Sequence, residues 1–317
     1  MDAIEPGDAF LSLLSAYLRK EGYKSSLCHL AGYPLPVINP EEGEYIMFGG
    51  PRLLDTDLPL FLHTCRAMEC DFVAAMKFTE RFGRDPVFRL DGDGAIHDVS
   101  DDVSCYADAY EVAGIYYFRE CFSRAFCSCT PPLKVAFESC RDRKKVKGLP
   151  IGGKSLRYIG GELPVFGHRT PVLFLDRDGV IVEDSGYVHG TDLVFVERMF
   201  PVVAAANMAG EPVIVVTNQS GVARGYFSEE EVTLTNEYIR GYFAGRGLKI
   251  DAFYVCPYMI GGAYPFYDKD SLCRKPQPGM ILKACEDFDI DLSRSLMIGD
   301  KGRDRIRLPY LTSVIFR

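Results

Sequence analysis

Apolar runs that end abruptly in polar residues recur along the second half of the chain, with longer amphipathic stretches between them. These runs are short and apolar at nearly every position, which is typical of strands covered on both faces of a parallel sheet. Strands that alternate with helices predict βαβ units. We predict strands at Val172–Leu175, Pro212–Val216, Ala252–Val255 and Ser295–Ile298, and helices at Phe200–Ala209, Ser228–Arg246 and Pro278–Phe288.

The first half of the chain has a different pattern, with short strands rich in aromatic and β-branched residues. Asp93 and Gly94 lie between two such strands and predict a hairpin turn. A passage rich in glycine and proline, residues 149–171, separates the two halves. We therefore predict a smaller α/β domain at residues 1–165 and a Rossmann-like parallel-sheet domain at residues 166–317, with the boundary near residue 166.

Composition limits the classes of function. The chain has 317 residues, which suffices for two domains, and a formal net charge of −8, which argues against a nucleic-acid partner. No segment is long and apolar enough to span a membrane, and the first residues do not resemble an export signal, so we expect a cytoplasmic protein. In that compartment the eleven cysteines are expected to be reduced thiols.

The first predicted strand of the second half leads into two carboxylates, Asp176 and Asp178, and Gly179 allows a sharp backbone turn after them. Ligands of parallel sheets bind beyond the carboxyl ends of the strands. Two carboxylates this close repel each other unless a cation lies between them, which favours a hard divalent metal such as Mg²⁺. A solvated turn rich in Asp explains this motif equally well when it is taken alone.

Polar side chains also follow the other predicted strands. Thr217 and Asn218 offer groups that hydrogen-bond a phosphoryl oxygen without adding charge. Asp300, with Asp304 four residues later, adds acidic groups at a third strand end. Arg274 and Lys275 supply the cations that neutralise a phosphate. Each feature has an ordinary structural explanation, but that explanation does not account for their common placement at strand ends.

The motifs DRDG, TNQSG, RKPxPGM and GDK, in this order, resemble those of the haloacid dehalogenase superfamily of phosphohydrolases. The resemblance covers residues from about 170 to 317 and implies that Asp176 is the nucleophile, which forms an aspartyl phosphate. It implies that Asp178 is the general acid and then the general base.

The same resemblance implies a metal and a phosphate clamp. Mg²⁺ would be held by the side chain of Asp176, the backbone carbonyl of Asp178 and the side chain of Asp300. Thr217 and Lys275 would bind the phosphoryl oxygens, and Asn218 would help to shape that pocket.

More narrowly, the motifs are similar to those of the heptose 1,7-bisphosphate 7-phosphatases and of the related histidinol phosphatases. The arginine of GVARG, Arg224, matches the heptose phosphatase pattern. Arg224 and Arg274 are candidates for binding a second phosphate or sugar hydroxyls, and Lys301 for a further substrate contact. Pairing of Arg224 with Glu229 or Glu230 is the competing structural explanation.

One departure from the family concerns zinc. Relatives often carry a zinc loop with four Cys or His ligands, of which this chain retains only Cys256 and Cys273. Structural zinc normally requires four nitrogen or sulfur ligands. We therefore predict that no zinc is bound and that both residues are thiols.

The first half weakly resembles sugar-phosphate nucleotidyltransferases, although it lacks their Gly-rich nucleotide loop and an acidic metal ligand, which Gly50-Pro51 replaces. A domain without a backbone cradle and a metal does not hold a nucleoside triphosphate. We expect a shortened, inactive domain that serves in docking, oligomerisation or ligand sensing.

The sequence thus predicts a Mg²⁺-dependent phosphomonoester hydrolase that removes the 7-phosphate of a heptose bisphosphate. Two alternatives stay open here. One is a phosphatase of histidinol phosphate or another small phosphomonoester, and the other is a binding or assembly protein that retains the fold without catalysis.

Overall fold

The computed structural model describes residues 25–30, 33–38, 41, 44–48, 58–80, 82, 87–100, 104–119, 145–153, 169–186 and 190–316. The chain divides into two compact units. Unit 1 comprises residues 1–77, 83–101 and 110–167, and unit 2 comprises residues 78–82, 102–109 and 168–317. Two short segments of the first half therefore belong to unit 2. The predicted boundary near residue 166 lies outside the described residues and stays a prediction.

Eight of the described strands form a mixed sheet. They are β1 (Ser25–Leu30), β2 (Tyr33–Ile38), β3 (Glu44–Phe48), β4 (Phe72–Thr79), β5 (Val87–Leu90), β6 (Ile96–Ser100), β7 (Ala109–Arg119) and β8 (Val146–Pro150). The order is β1-β2-β3-β7-β4-β8, with β5 paired to β6 and β7. Strands β1, β2, β3 and β7 pair antiparallel, whereas β4 and β8 pair in parallel. Helix α1 (Leu58–Ala67) precedes β4 in the chain.

The hairpin predicted at Asp93-Gly94 is confirmed. Strands β5 and β6 pair antiparallel across it, and Gly94 has a φ of 83°, which a residue with a side chain rarely adopts. The Asp91 carboxylate accepts hydrogen bonds from the backbone N–H groups of Asp93 and Ala95 at 3.2 and 2.8 Å. The acidic pattern here therefore stabilises a turn. Residues 1–24 and Gly50-Pro51, on which the nucleotidyltransferase interpretation depends, lie outside the described residues.

The sheet of unit 2 has five parallel strands in the order β11-β10-β9-β12-β13. Its elements are β9 (Leu173–Leu175), α2 (Phe200–Met208), β10 (Val213–Asn218), α3 (Glu229–Ala244), β11 (Ala252–Cys256), α4 (Gly279–Asp287), β12 (Leu296–Gly299) and β13 (Thr312–Ile315). All four predicted strands and all three predicted helices are confirmed, with ends that differ by at most two residues.

Strand β13 was not predicted. Its residues are alternately exposed and half-buried, and it pairs in parallel with β12 at the edge of the sheet. A four-residue edge strand that starts with Thr and Ser lacks the continuous apolar run by which the central strands were identified.

The central strands are apolar because both of their faces are covered. All three residues of β9 are buried, and the core around it includes residues from α2, β10 and α3. Helix α3 begins with a capping box, in which the Ser228 hydroxyl accepts from the Glu231 N–H and the Glu231 carboxylate accepts from the Ser228 N–H. Among the described helices, none has the length and apolar character needed to cross a bilayer.

Candidate active site

The predicted acidic and phosphate-binding residues of the second half meet at the carboxyl ends of the parallel strands. Strands β9, β10 and β12 are neighbours, so the residues that follow them lie close together at their carboxyl ends. Asp176 follows β9, and its backbone N–H donates to the carbonyl of Ile298 in β12 at 2.9 Å. This hydrogen bond extends the register of the two strands up to the first acidic residue.

Lys275 lies between two carboxylates. Its Nζ is 2.7 Å from Asp176 Oδ1 and 2.7 Å from Asp304 Oδ1. All three residues are almost fully buried, with exposures of 3%, 2% and 0% for Lys275, Asp176 and Asp304. Buried charges in proteins are normally paired in this way, because an unpaired charge is costly to desolvate. The pairing of Asp304 with Lys275 was not predicted from the sequence; the spacing of Asp304 four residues after Asp300 was the available signal.

Burial controls the titration of the acidic residues. Desolvation raises the pKa of Asp176 to about 6, against the opposing effect of the nearby Lys275 ammonium. Desolvation also raises the pKa of Asp300, against the opposing charge of Lys301. Without a further cation, Asp176 and Asp300 therefore ionise less readily than exposed aspartates.

The acidic cluster has the donors that a hard cation requires. One carboxylate oxygen from each of Asp176, Asp300 and Asp304 lies within 4.8 Å of the other two. Asp176 Oδ2 and Asp300 Oδ1 are buried and accept no hydrogen bond from any described residue. Lys275 is shared by Asp176 and Asp304, and Lys301 near Asp300 also pairs with Asp184, so excess negative charge remains. Oxygen ligands of this type suit Mg²⁺. The residues present therefore fit a divalent metal.

Two glycines make room for this cluster. Gly179 has a φ of 88°, and a Cβ at this position would lie 2.3 Å from Asp300 Oδ2. A Cβ at Gly299 would lie 2.0 Å from the Cβ of Asp304. Real Cβ contacts are not this short, so a side chain at either position displaces an acidic group.

Asp178 is held by two residues that the sequence analysis did not identify. Arg177 Nε and Nη2 donate to Asp178 Oδ1 and Oδ2 at 3.1 and 3.2 Å. Gln219 Nε2 donates to Asp178 Oδ2 at 2.7 Å and to Thr217 Oγ1 at 2.8 Å. Arg177 lies within the DRDG motif and Gln219 within TNQSG, so their positions inside the motifs were the available signal.

Asn218 contacts the backbone of Lys275. Its Oδ1 accepts from the Lys275 N–H at 3.0 Å and its Nδ2 donates to the Lys275 carbonyl at 3.2 Å. Asn218 thus fixes the loop that carries the buried Lys275 ammonium. Thr217, which precedes Asn218 in β10, is also buried.

The three basic residues suggested for substrate specificity have different surroundings. Arg224 is exposed and, in the part of the chain that the structure describes, forms no ion pair with Glu229 or Glu230. Arg274 Nη1 donates to the carbonyl of Tyr258 at 3.3 Å. Lys301 pairs closely with Asp184 and lies 3.7 Å from Asp300 Oδ2. Hydrogen bonding to Asp184 raises the pKa of Lys301 and keeps it charged.

Cys256 and Cys273 are buried free thiols. Desolvation raises the pKa of Cys256 to about 12 and that of Cys273 well above its usual value. In the metal-free protein both groups are therefore protonated thiols. Cys256 Sγ instead lies 3.9 Å from Ser271 Oγ. Zinc binding stays untested, and the prediction that it is absent stands.

Comparison with known proteins identifies the family. The D-glycero-alpha-D-manno-heptose-1,7-bisphosphate 7-phosphatase of Burkholderia mallei is 47% identical over 137 residues, which cover 43% of this chain and 72% of the relative. The chain belongs to this family of HAD-like phosphatases. The D-glycero-beta-D-manno-heptose-1,7-bisphosphate 7-phosphatase of Vibrio cholerae is 44% identical over 135 residues, which cover 42% of this chain and 73% of the relative.

A family model and a solved structure are also similar to parts of the chain. A family model described as "HAD-hyrolase-like" matches residues 272–306, the segment that carries Lys275, Asp300 and Asp304. A solved structure of the D,D-heptose 1.7-bisphosphate phosphatase from B. bronchiseptica, complexed with magnesium and phosphate, is 29% identical. That match covers 43% of this chain and 73% of the other, with a TM-score of 0.37.

Proposed function

We propose that this HAD-like phosphatase removes the 7-phosphate of a heptose 1,7-bisphosphate in a Mg²⁺-dependent reaction, with Asp176 as the nucleophile. The observation that carries the proposal is the arrangement of the buried Asp176 carboxylate. Its Oδ1 forms an ion pair with Lys275, and its Oδ2 accepts no hydrogen bond from the described residues. The names of the relatives support the class of substrate.

The reaction proceeds by two displacements at phosphorus. A carboxylate oxygen of Asp176 attacks the phosphorus, the bond to the sugar oxygen breaks, and Asp178 donates a proton to that departing oxygen. Water then attacks the aspartyl phosphate while Asp178 accepts its proton, and inorganic phosphate leaves. Arg177 and Gln219 orient the Asp178 carboxylate for both proton transfers.

Lys275 and the acidic cluster supply the electrostatics. The Lys275 ammonium binds the transferring phosphoryl group together with Thr217, which neutralises charge as the anionic group approaches the carboxylate. Asp176, Asp300 and Asp304 would hold Mg²⁺, with the backbone carbonyl of Asp178 as the further ligand expected from the family. The metal, when bound, neutralises charge on the phosphoryl oxygens and on the nucleophile.

We further propose that Arg224, Arg274 and Lys301 select the bisphosphorylated sugar. Arg224 is exposed and has no ion pair with the neighbouring Glu229 or Glu230, so its guanidinium is available to a second phosphate. A bisphosphate carries more negative charge than histidinol phosphate, whose amine is cationic, so a basic rim favours the sugar. Relatives are named for both the alpha and the beta anomer, so both require testing.

Phosphate release with Mg²⁺ from each anomer of heptose 1,7-bisphosphate, and from histidinol phosphate, tests the proposal. Asp176→Asn is the inactive control, and Asp251→Asn is a matched control, because Asp251 is an acid outside the buried cluster that accepts from the Val213 N–H at the amino end of β10. Preference for a bisphosphate supports the proposed substrate. Equal turnover of histidinol phosphate favours the second enzymatic reading, and release from no substrate favours a binding protein.

The first half keeps its interpretation as an inactive nucleotidyltransferase-like domain, which we propose on the weak resemblance of its motifs and on its mixed sheet. We propose docking or oligomerisation as its role, in a cytoplasmic protein. Titration with nucleoside triphosphates and light scattering on the intact chain test this directly. Tight nucleotide binding with turnover contradicts an inactive domain, and a monomer contradicts oligomerisation.

A further inference from the structure

A short segment of the first half belongs to the phosphatase unit. Residues 102–109 are part of unit 2, and within them Tyr106 forms a parallel bridge with Asp270. The backbone N–H of Ala107 donates to the carbonyl of Asp270 at 2.9 Å, and the N–H of Asp270 donates to the carbonyl of Cys105 at 3.2 Å. This segment therefore pairs with the stretch that leads directly into Arg274 and Lys275.

The side chain of Asp108 contacts the stretch before Lys275. It is 1% exposed, and its Oδ1 accepts from the backbone N–H of Leu272 at 2.5 Å. Its Oδ2 accepts from the Ser271 hydroxyl, also at 2.5 Å. The Ser271 oxygen in turn accepts from the backbone N–H of Cys273 at 3.0 Å. The Asp108 carboxylate thus holds Ser271 and Leu272 directly, and Cys273 through the Ser271 hydroxyl. Hydrogen bonds to a charged acceptor are stronger than those between neutral groups.

The fixed residues adjoin the phosphate-binding lysine. Cys273 is two residues before Lys275, and the N–H of Gly279 at the start of α4 donates to the carbonyl of Leu272 at 2.7 Å. A Cβ at Gly279 would lie 2.6 Å from Cys273 N, so the helix start packs directly on this loop. The loop is held by Asp108 before Lys275 and by Asn218 at Lys275 itself.

We infer that Asp108 is a positioning residue for phosphoryl transfer, which acts by holding residues 271–273 so that Arg274 and Lys275 face the phosphate. The inference rests on the proposed function, since the loop matters for catalysis only if Lys275 binds the transferred group. A carboxylate is suited to this role because it accepts from a backbone N–H and a hydroxyl at once, whereas alanine leaves both buried donors without that acceptor.

Kinetics on the intact protein test the inference. Asp108→Ala is expected to lower kcat/KM about tenfold or more, because small displacements of a binding group have large effects on rate. Asp108→Asn retains an acceptor for the Leu272 N–H and is expected to recover most of the activity. Asp251→Ala is the matched control: Asp251 also accepts from a backbone N–H, that of Val213 at 2.9 Å, but it directly precedes β11 and lies at the amino ends of the strands, away from the site. It is expected to leave kcat/KM unchanged.

Thiol labelling gives a second measurement that does not require activity. The labelling rates of individual cysteines by iodoacetamide, followed by mass spectrometry, report on the loop through Cys273 and on the core through Cys285, both of which are buried. Asp108→Ala is expected to accelerate labelling of Cys273 and not of Cys285. Unchanged labelling of Cys273, or equal acceleration of both thiols, overturns the inference.

The two measurements separate the two proposals. If the wild-type protein releases phosphate from no ester, the proposed function fails, while the labelling result still decides whether Asp108 holds the loop. If the wild-type protein is active and Asp108→Ala has unchanged kcat/KM, the positioning role is wrong even though the phosphatase assignment stands.

Discussion

The side chain of Asn218 holds the backbone of Lys275 at both of its polar groups, accepting from the N–H at 3.0 Å and donating to the carbonyl at 3.2 Å. Asn218→Ala removes both bonds and frees the loop that carries the buried ammonium. We expect a loss of about 1–3 kcal/mol in the free energy of unfolding and a much larger relative loss of activity. Urea unfolding and steady-state phosphate release measure the two effects.

The chain contains a matched control for Asn218. Asn207 makes the same pair of contacts with Lys249, accepting from its N–H at 2.7 Å and donating to its carbonyl at 3.1 Å. Asn207→Ala is therefore expected to cost similar stability and to leave kcat/KM unchanged. Equal losses of activity in the two variants would show that Asn218 acts through general stability alone.

Alanine variants of Gly179 and Gly186 distinguish the effect of backbone strain from the effect of crowding in the acidic cluster. Their φ angles are 88° and 86°, so alanine at either position costs about 1–2 kcal/mol of backbone strain. Only at Gly179 would the added Cβ meet Asp300 Oδ2, at 2.3 Å, whereas nothing lies within 4 Å at Gly186. We expect Gly179→Ala to lose Mg²⁺-dependent activity and Gly186→Ala to retain it. Titration of activity against Mg²⁺ concentration is the measurement, and parallel curves for the two variants contradict the steric argument.

The parallel sheet could be predicted from the sequence because its central strands are buried on both faces. A continuous apolar run such as Leu173–Leu175 has no other common explanation when helices alternate with it. The polar residues that follow these runs, among them Asp176, Thr217 and Asp300, then have to meet at the carboxyl ends of neighbouring strands.

The remaining features depend on contacts between residues that are distant in the chain. Nothing in the local pattern around Asp108 indicates that its carboxylate accepts from Ser271 and Leu272, more than 160 residues later. The edge strand β13 was not predicted because a half-exposed strand has a weaker apolar pattern. Asp304 was visible in the sequence, but its pairing with Lys275 was not.

The buried charge of Lys275 is expected to dominate the stability of the metal-free cluster. Lys275→Met leaves Asp176 and Asp304 without their shared cation, which costs about 3–5 kcal/mol at neutral pH. The matched control is Lys283→Met, because Lys283 forms a half-exposed ion pair with Glu80 at 2.8 Å that is worth about 0–1 kcal/mol. Urea unfolding midpoints in EDTA compare the two. Similar midpoints for both variants contradict a dominant role for the buried pair.

The titration of Asp176 is expected to make the metal-free protein less stable as pH rises. Burial raises the pKa of this carboxyl from 3.8 to about 6 in the folded protein. Below pH 3.8 both states hold the proton. Between these values the unfolded chain has released the proton and the folded protein still binds it, so the contribution to stability falls with pH and is fully lost above about 6.

Asp176→Asn removes this dependence. In EDTA the variant is therefore expected to unfold at a higher urea concentration than the wild type at pH 7.5, and the difference is expected to shrink as pH falls towards 4.5. Both proteins retain the contribution of Asp300, whose pKa is also raised by burial, so the comparison isolates Asp176. Added Mg²⁺ is expected to stabilise the wild type more than the variant at pH 7.5, because only the wild type presents the Asp176 carboxylate to the metal. A variant that is less stable than the wild type in EDTA at pH 7.5 contradicts the raised pKa, since it would mean that the ionised carboxylate stabilises the fold.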